Sequence, residues 1–133
     1  MDPTDERILG ILKKDSRTPF TEMGKELGLS DVAIKKRIDK LLETGVIKRF
    51  SIEVNNEALG RPVRAYILLR CSPESVGEII KKLKGSLKAE RTIGSYDVLI
   101  TLDTEDVSSL RKFVEEELGS YPGVVEIRTL IRV

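Results

Sequence analysis

Six cations, Lys35, Lys36, Arg37, Lys40, Lys48 and Arg49, fall between residues 35 and 49, with only Asp39 and Glu43 against them. Cations gathered on one surface neutralise phosphates, and phosphate contacts supply much of a protein's affinity for DNA. The whole chain carries 23 Lys+Arg against 22 Asp+Glu, so this cluster is a local feature of a nearly neutral protein. A second group is Gly94-Ser95-Tyr96-Asp97, with Thr129 farther along. There a glycine admits close backbone approach, a carboxylate can meet an ammonium, and free amides with a hydroxyl can meet a carboxylate. That is the chemistry of holding an amino acid. The same residues also suit a plain hairpin in which Asp97 bonds the turn's own backbone, and both uses stay open. Acid–base and covalent catalysis are poorly served, because the chain has no His, one Cys and no recognisable carboxylate pair. Neither a Cys/His metal cluster nor an intrachain disulfide is possible. The expectation is a protein that is not an enzyme and has no metal or other cofactor.

With 133 residues, 34% charged and 40% hydrophobic, the chain has room for one ordinary domain or two small ones. Two halves of this size bury modest cores, which favours oligomerisation. There is no long apolar run to span a bilayer and no signal-peptide pattern near Met1, so a soluble cytoplasmic protein is expected, without membrane partners.

The basic cluster needs a helix to carry most of it. Asp2 caps a first helix that opens at Pro3 and carries Ile8, Leu9, Ile11 and Leu12 as its apolar stripe. A short helix follows over Thr21–Leu27, ended by Gly28. Ser30 caps a third, Asp31–Thr44, in which Ile34, Ile38, Leu41 and Leu42 take core positions and Gly45 supplies the stop. Gly24 lets the second and third helices approach closely, and Gly28 suits the positive φ of a tight turn. The result is a helix-turn-helix. Opposite Ile34 and Ile38 lie Val32, Ala33, Lys36 and Lys40, flanked by Lys35 and Arg37. Small residues at the start of such a helix reach base edges in the major groove, and cations meet phosphates. Ser30, Asp31, Val32, Ala33 and Lys36 are therefore expected near bases. Lys35, Lys36, Arg37 and Lys40 are expected at phosphates, with Arg17 adding one. The other use of such a face is simple solvation. Val46–Val54 reads as a strand, and Lys48 and Arg49 on it are either wing contacts to the DNA backbone or exposed strand charges.

Residues 55–62, ending in Gly60-Arg61-Pro62, read as a linker between a unit over 1–54 and another over 63–133. In the second unit Val63, Ala65, Ile67, Leu69 and Cys71 alternate with polar neighbours, as in a half-buried strand. A helix follows with Val76, Ile79, Ile80 and Leu83. Strands come next at Lys88–Ile93 and around Val98, Ile100 and Leu102. Thr104 is placed to cap a helix bearing Val107, Leu110, Val114 and Leu118. In the last strand Val125, Ile127, Thr129, Ile131 and Val133 share a side. This order is the ferredoxin-like βαββαβ arrangement, so the fold class is α+β. Base-stacking aromatics are missing from the central strands, which disfavours an RNA-recognition module. Cys71 sits on the apolar side as a structural thiol. Tyr66, Leu68 and Leu130 make the other sheet face apolar too, which points to a homodimer. A two-fold dimer would set two reading helices one helical turn (~34 Å) apart.

The motifs Asp5-Glu6-Arg7-Ile8-Leu9, Leu27-Gly28-Leu29-Ser30 and Arg37-Ile38 through Gly45-Val46-Ile47 resemble the Lrp/AsnC (feast/famine) family. So do Leu59-Gly60, Gly94-Ser95-Tyr96-Asp97 and Gly123-Val124 with Thr129. The resemblance runs along essentially the whole chain. It implies an N-terminal winged helix-turn-helix and a C-terminal RAM domain that dimerises, assembles into tetramers or octamers of dimers, and binds an amino acid near the Gly94–Asp97 loop. Gly24 stands where the family usually has alanine, a change expected to be harmless. The function this implies is a sequence-specific transcription regulator on double-stranded DNA, modulated by a small effector. A regulatory amino-acid-binding subunit of an enzyme and an effector-free architectural DNA-binding protein are the alternatives.

Overall fold

Asp2 and Asp5 start the first helix by capping each other. The Asp2 carboxylate accepts the Asp5 amide at 2.9 Å and the Asp5 carboxylate accepts the Asp2 amide at 3.2 Å. With Pro3 in the first position, where its missing amide costs nothing, helix α1 runs Pro3–Lys14. Helix α2 spans Phe20–Leu27, and Gly28 closes it at φ +70°, a left-handed conformation that glycine adopts without strain. Helix α3 spans Asp31–Glu43, with the Ser30 hydroxyl accepting the Ala33 amide at 3.1 Å. Ile8, Met23, Ile34 and Ile38 form the buried centre of this unit, and Leu41 is buried as well. Leu42, expected in the core, is instead exposed. Eight residues beyond Ile34 it has turned about 80° away from the packed face.

The structure, a computed structural model, describes all residues from Met1 to Val133, in two units, Met1–Glu53 and Val54–Val133. Two expectations for the first unit are corrected. A Cβ at Gly24 would lie 2.3 Å from the Leu29 carbonyl oxygen, so alanine there would force the turn open and the glycine is not an indifferent choice. Nor do residues Val46–Val54 form a strand. The Ile47 amide is held by the Leu41 carbonyl at 2.9 Å, but the unit offers no strand edge for the rest to pair with.

In the second unit the strands are β1 (Val63–Cys71), β2 (Lys88–Arg91), β3 (Val98–Thr104) and β4 (Val124–Ile131). They form one antiparallel sheet in the order β2-β3-β1-β4. Ala65, Ile67, Leu69 and Cys71 point to one side, where Val76, Ile79 and Leu83 of helix α4 (Val76–Lys84) and Leu110 of helix α5 (Val107–Lys112) cover them. Burial pushes the Cys71 thiol pKa up, as befits a packed, unreactive side chain.

Several local expectations give way. Strand β2 ends at Arg91, and Ile93 is wholly exposed, because Thr92 turns to donate its amide and hydroxyl to the Asp97 and Tyr96 carbonyls. Thr104 stays in β3 and Asp106 caps α5, accepting the Ser109 amide at 2.7 Å. Val107, at the first position of α5, stays exposed. After Lys112 the helix widens over Phe113–Glu117 and tightens over Leu118–Ser120. Residues in a widened turn advance less around the axis, which brings Leu118 back into the core that Leu110 enters. A bulge in β4 sets Arg70 opposite Glu126 and Cys71 opposite Val124, skipping Val125. Val124 therefore packs on the core while Val125 is exposed, and Val133 lies past the strand's end.

Candidate nucleic-acid interface and effector loop

Helix α3 presents to solvent the residues that its buried face leaves over. Val32 is 64% exposed, Ala33 is half-buried, and Lys36 and Lys40 are exposed one turn apart. Neither lysine has an ion-pair partner. With Arg37, Thr44 and Val46 of the same unit they line an open depression of about 730 Å³, bounded by Met1, Asp2 and Asp5. A small-residue start followed by unpaired cations can approach base edges first and phosphates next. Ser30 is committed through its hydroxyl to the cap, and Asp31 is exposed beside it.

Two of the expected phosphate contacts are already engaged. Lys35 Nζ meets Asp39 Oδ2 at 2.6 Å, one turn along the same helix. Arg37 Nη1 donates to Asp2 Oδ2 at 2.7 Å and to Asp5 Oδ1 at 3.1 Å, tying α3 to the start of α1. The Arg37 hydrogen bond holds the Asp2 carboxyl below its ordinary range, and the two carboxylates raise the guanidinium's pKa. Arg37 thus serves the fold. The capping role of Asp2 and Asp5 is visible in sequence, but their reach to a residue more than thirty positions away is not. Arg17 sits in the bend after α1, its amide bound to the Asp15 carboxylate at 2.9 Å and its side chain unpaired. Lys48 and Arg49 are exposed on the unpaired run after Gly45, not on a wing strand.

Around the second group, Gly94 takes φ +138° and is exposed with Ser95, while Tyr96 and Asp97 are half-buried. The Asp97 carboxylate accepts the Cys71 amide at 2.8 Å, and its own amide donates to the Leu69 carbonyl at 2.8 Å. Its side chain therefore finishes strand β1, with one oxygen left over. The Tyr96 hydroxyl reaches Glu126 at 3.4 Å, and Glu126 also takes Arg70 at 3.1 Å and Arg128 at 3.4 Å. Arg70, then Arg128, hold the Glu126 carboxyl below its ordinary range. This cluster is on the sheet face away from the helices, since Arg70 and Arg128 alternate with core positions. Thr129 stands opposite Ile67, on the helix-covered side, and lines a groove of about 220 Å³ with Val107, Leu110, Arg111, Val114, Glu115 and Ile131. One chain alone does not bring Thr129 together with Gly94–Asp97. Sequence reading missed Arg70, Glu126 and Arg128. The signal was there in their strand parity, once the register of β1 on β4 was known. It also missed the Arg64–Asp103 fork, at 2.8 and 2.9 Å across β1 and β3.

No group of three His, Cys, Asp or Glu side chains is placed to hold a metal ion, and no helix is long and apolar enough to cross a membrane.

Comparison with known proteins accounts for both units. Residues 1–42 match the AsnC-type helix-turn-helix domain and residues 64–133 match the Lrp/AsnC ligand binding domain. The transcriptional regulator LysM of Saccharolobus solfataricus is 36% identical over 135 residues, covering 98% of this chain and 92% of LysM. Among solved structures, AsnC of E. coli has a TM-score of 0.85 at 25% identity, covering 100% of this chain and 92% of its own. The regulator NMB0573 of Neisseria meningitidis, in complex with L-Met, has a TM-score of 0.87 at 21% identity, covering 100% and 90%, a likeness of fold. The matched families describe transcriptional regulators rather than enzymes. With a DNA-binding helix-turn-helix followed by a ligand-binding domain, and LysM-like along nearly its whole length, this chain belongs to the Lrp/AsnC family of transcriptional regulators.

Proposed function

We propose that this regulator works in the cytoplasm as a homodimer or an assembly of dimers, recognises a specific operator through α3, and adjusts its occupancy when it binds an amino acid. Residues 1–54 read the DNA, 55–62 link, and 63–133 dimerise and hold the effector. The observation that carries the reading is the pair Lys36 and Lys40, unpaired beside the exposed Val32 and the small Ala33. Val32 and Ala33 meet thymine methyls, Lys36 reaches a base edge or a phosphate, and Lys40, Lys48 and Arg17 meet phosphates. The half-apolar open sheet face, with Tyr66, Leu68 and Leu130, supports dimerisation.

The effector reading rests on Gly94, Ser95, Tyr96 and the free oxygen of Asp97 in one protomer, completed by a Thr129 groove supplied by another, since one chain does not unite them. That a regulator of the same fold forms a complex with L-Met supports an amino acid as the class. A ligand that prefers one assembly state shifts operator occupancy by that difference in affinity.

Mobility-shift titration on genomic fragments, with and without each amino acid, tests both parts. Lys36→Ala/Lys40→Ala is expected to keep its circular-dichroism spectrum, weaken binding, and lower the logarithmic salt slope by about 2, roughly one per lost phosphate contact. An unchanged slope and affinity would remove α3 from the interface. A wild-type titration indifferent to all amino acids would remove the effector.

A further inference from the structure

The run Lys48–Glu53 has no helix, turn or strand partner, and every side chain in it is exposed, Phe50 to 49% and Ile52 to 81%. Two large apolar side chains in open water call for a partner. In strand geometry Phe50 and Ile52 share one side, and Arg49, Ser51 and Glu53 the other. Laid antiparallel on a copy of itself with Ser51 opposite Ser51, the run sets Phe50 against Ile52 and Arg49 against Glu53, each pair made twice. Aromatic against β-branched and cation against anion are the favourable cross-strand pairs. Sliding by one residue puts Ser51 opposite Phe50 or Ile52 and mixes the two faces. Centring on Phe50 sets Arg49 opposite Ser51, and centring on Ile52 sets it opposite Asn55, so both lose the ion pairs. A groove of about 330 Å³ between Leu9, Leu12 and Lys13 of α1 and the start of the run extends its apolar surface.

We infer that Lys48–Glu53 becomes a strand only between two protomers, paired antiparallel with the same run of a second copy about an axis at Ser51. The contact is isologous and needs no other protein. It gives the missing strand the edge that its own unit lacks, and it places Arg49 at the partner's carboxylate rather than at a phosphate. Because the Ile47 amide is bonded to the Leu41 carbonyl, the ribbon joins the two α3 helices that read the operator.

The inference rests on the homodimer proposed above, and disulfide trapping in the full chain separates the two. Wild type is the blank, since its one thiol, Cys71, is buried. On mild oxidation Ser51→Cys should form a covalent dimer, because directly opposed strand residues lie within disulfide range. Glu53→Cys, displaced from its own copy along the strand, should cross-link at least about tenfold more slowly. Phe50→Cys and Ile52→Cys should link to each other when mixed and far less when alone. Arg49→Glu should weaken the dimer about tenfold by sedimentation, and Arg49→Glu/Glu53→Arg should restore it. A chain that sediments as a dimer without oxidant but leaves Ser51→Cys reduced overturns the pairing alone. A monomer overturns both readings, and equal trapping at positions 51 and 53 overturns this register.

Discussion

Arg64 and Asp103 face each other across β1 and β3 with two parallel hydrogen bonds at 2.8 and 2.9 Å. The guanidinium holds the Asp103 carboxyl below its ordinary value of 3.8, with Arg132 and Arg61 adding smaller pulls in the same direction. A carboxylate whose pKa is depressed on folding contributes stability that is fully present above its unfolded value. That stability is lost as the pH falls through the lower, folded value. Acidification from 3.8 downward should therefore protonate Asp103 and loosen the sheet. Asp103→Asn should have a lower melting temperature at neutral pH and a shallower decline below pH 3.8 than wild type, read by thermal denaturation across that range. Asp2 and Glu126 are depressed as well, Asp2 chiefly by Arg37 and Glu126 chiefly by Arg70, so part of the acid sensitivity should persist in the variant.

At the scale of elements, the turn between α2 and α3 positions the reading face. The Leu29 amide donates to the Gly24 carbonyl at 2.9 Å, and the Leu29 carbonyl occupies the place a Gly24 side chain would need. Gly24→Ala should cost about 1–3 kcal/mol of stability in the N-terminal unit, the usual range for overpacking against an unyielding neighbour. The check is thermal or urea unfolding followed by helical circular dichroism. An unaltered midpoint would show that the turn gives way easily. Helix starts were legible in sequence, because Asp2, Ser30 and Gly28 act on their nearest neighbours. Thr104 misled because two polar residues, Thr104 and Asp106, compete to cap α5, and the one that β3 leaves free wins.

At the scale of the molecule, the open sheet face carries Tyr66, Leu68 and Leu99, partly covered, and Leu130, 56% exposed, between the Arg64–Asp103 and Arg70–Glu126 pairs. An apolar strip bordered by charge pairs has the anatomy of an interface. Leu130→Asp places a carboxylate in that strip without disturbing the buried core. The expected outcome is a folded monomer in sedimentation velocity whose operator affinity falls about a hundredfold, since two linked half-site contacts become one. A variant that stays dimeric with full affinity would move the dimer interface elsewhere.

The residues of this chain by themselves determine three helices, a βαββαβ unit, their caps and stops, and the outward face of α3. Each of these follows from periodicity and from contacts a few residues long, which any sufficiently long stretch of chain displays. Tertiary structure decided what depends on distant partners. Arg37 answers to Asp2 and Asp5, Asp97 answers to the Cys71 amide, and a bulge moves Val125 off the core face. The apolar alternation of Val46–Val54 marks it as strand-like, but a strand exists only where another edge completes its hydrogen bonds, and within one chain no such edge is supplied.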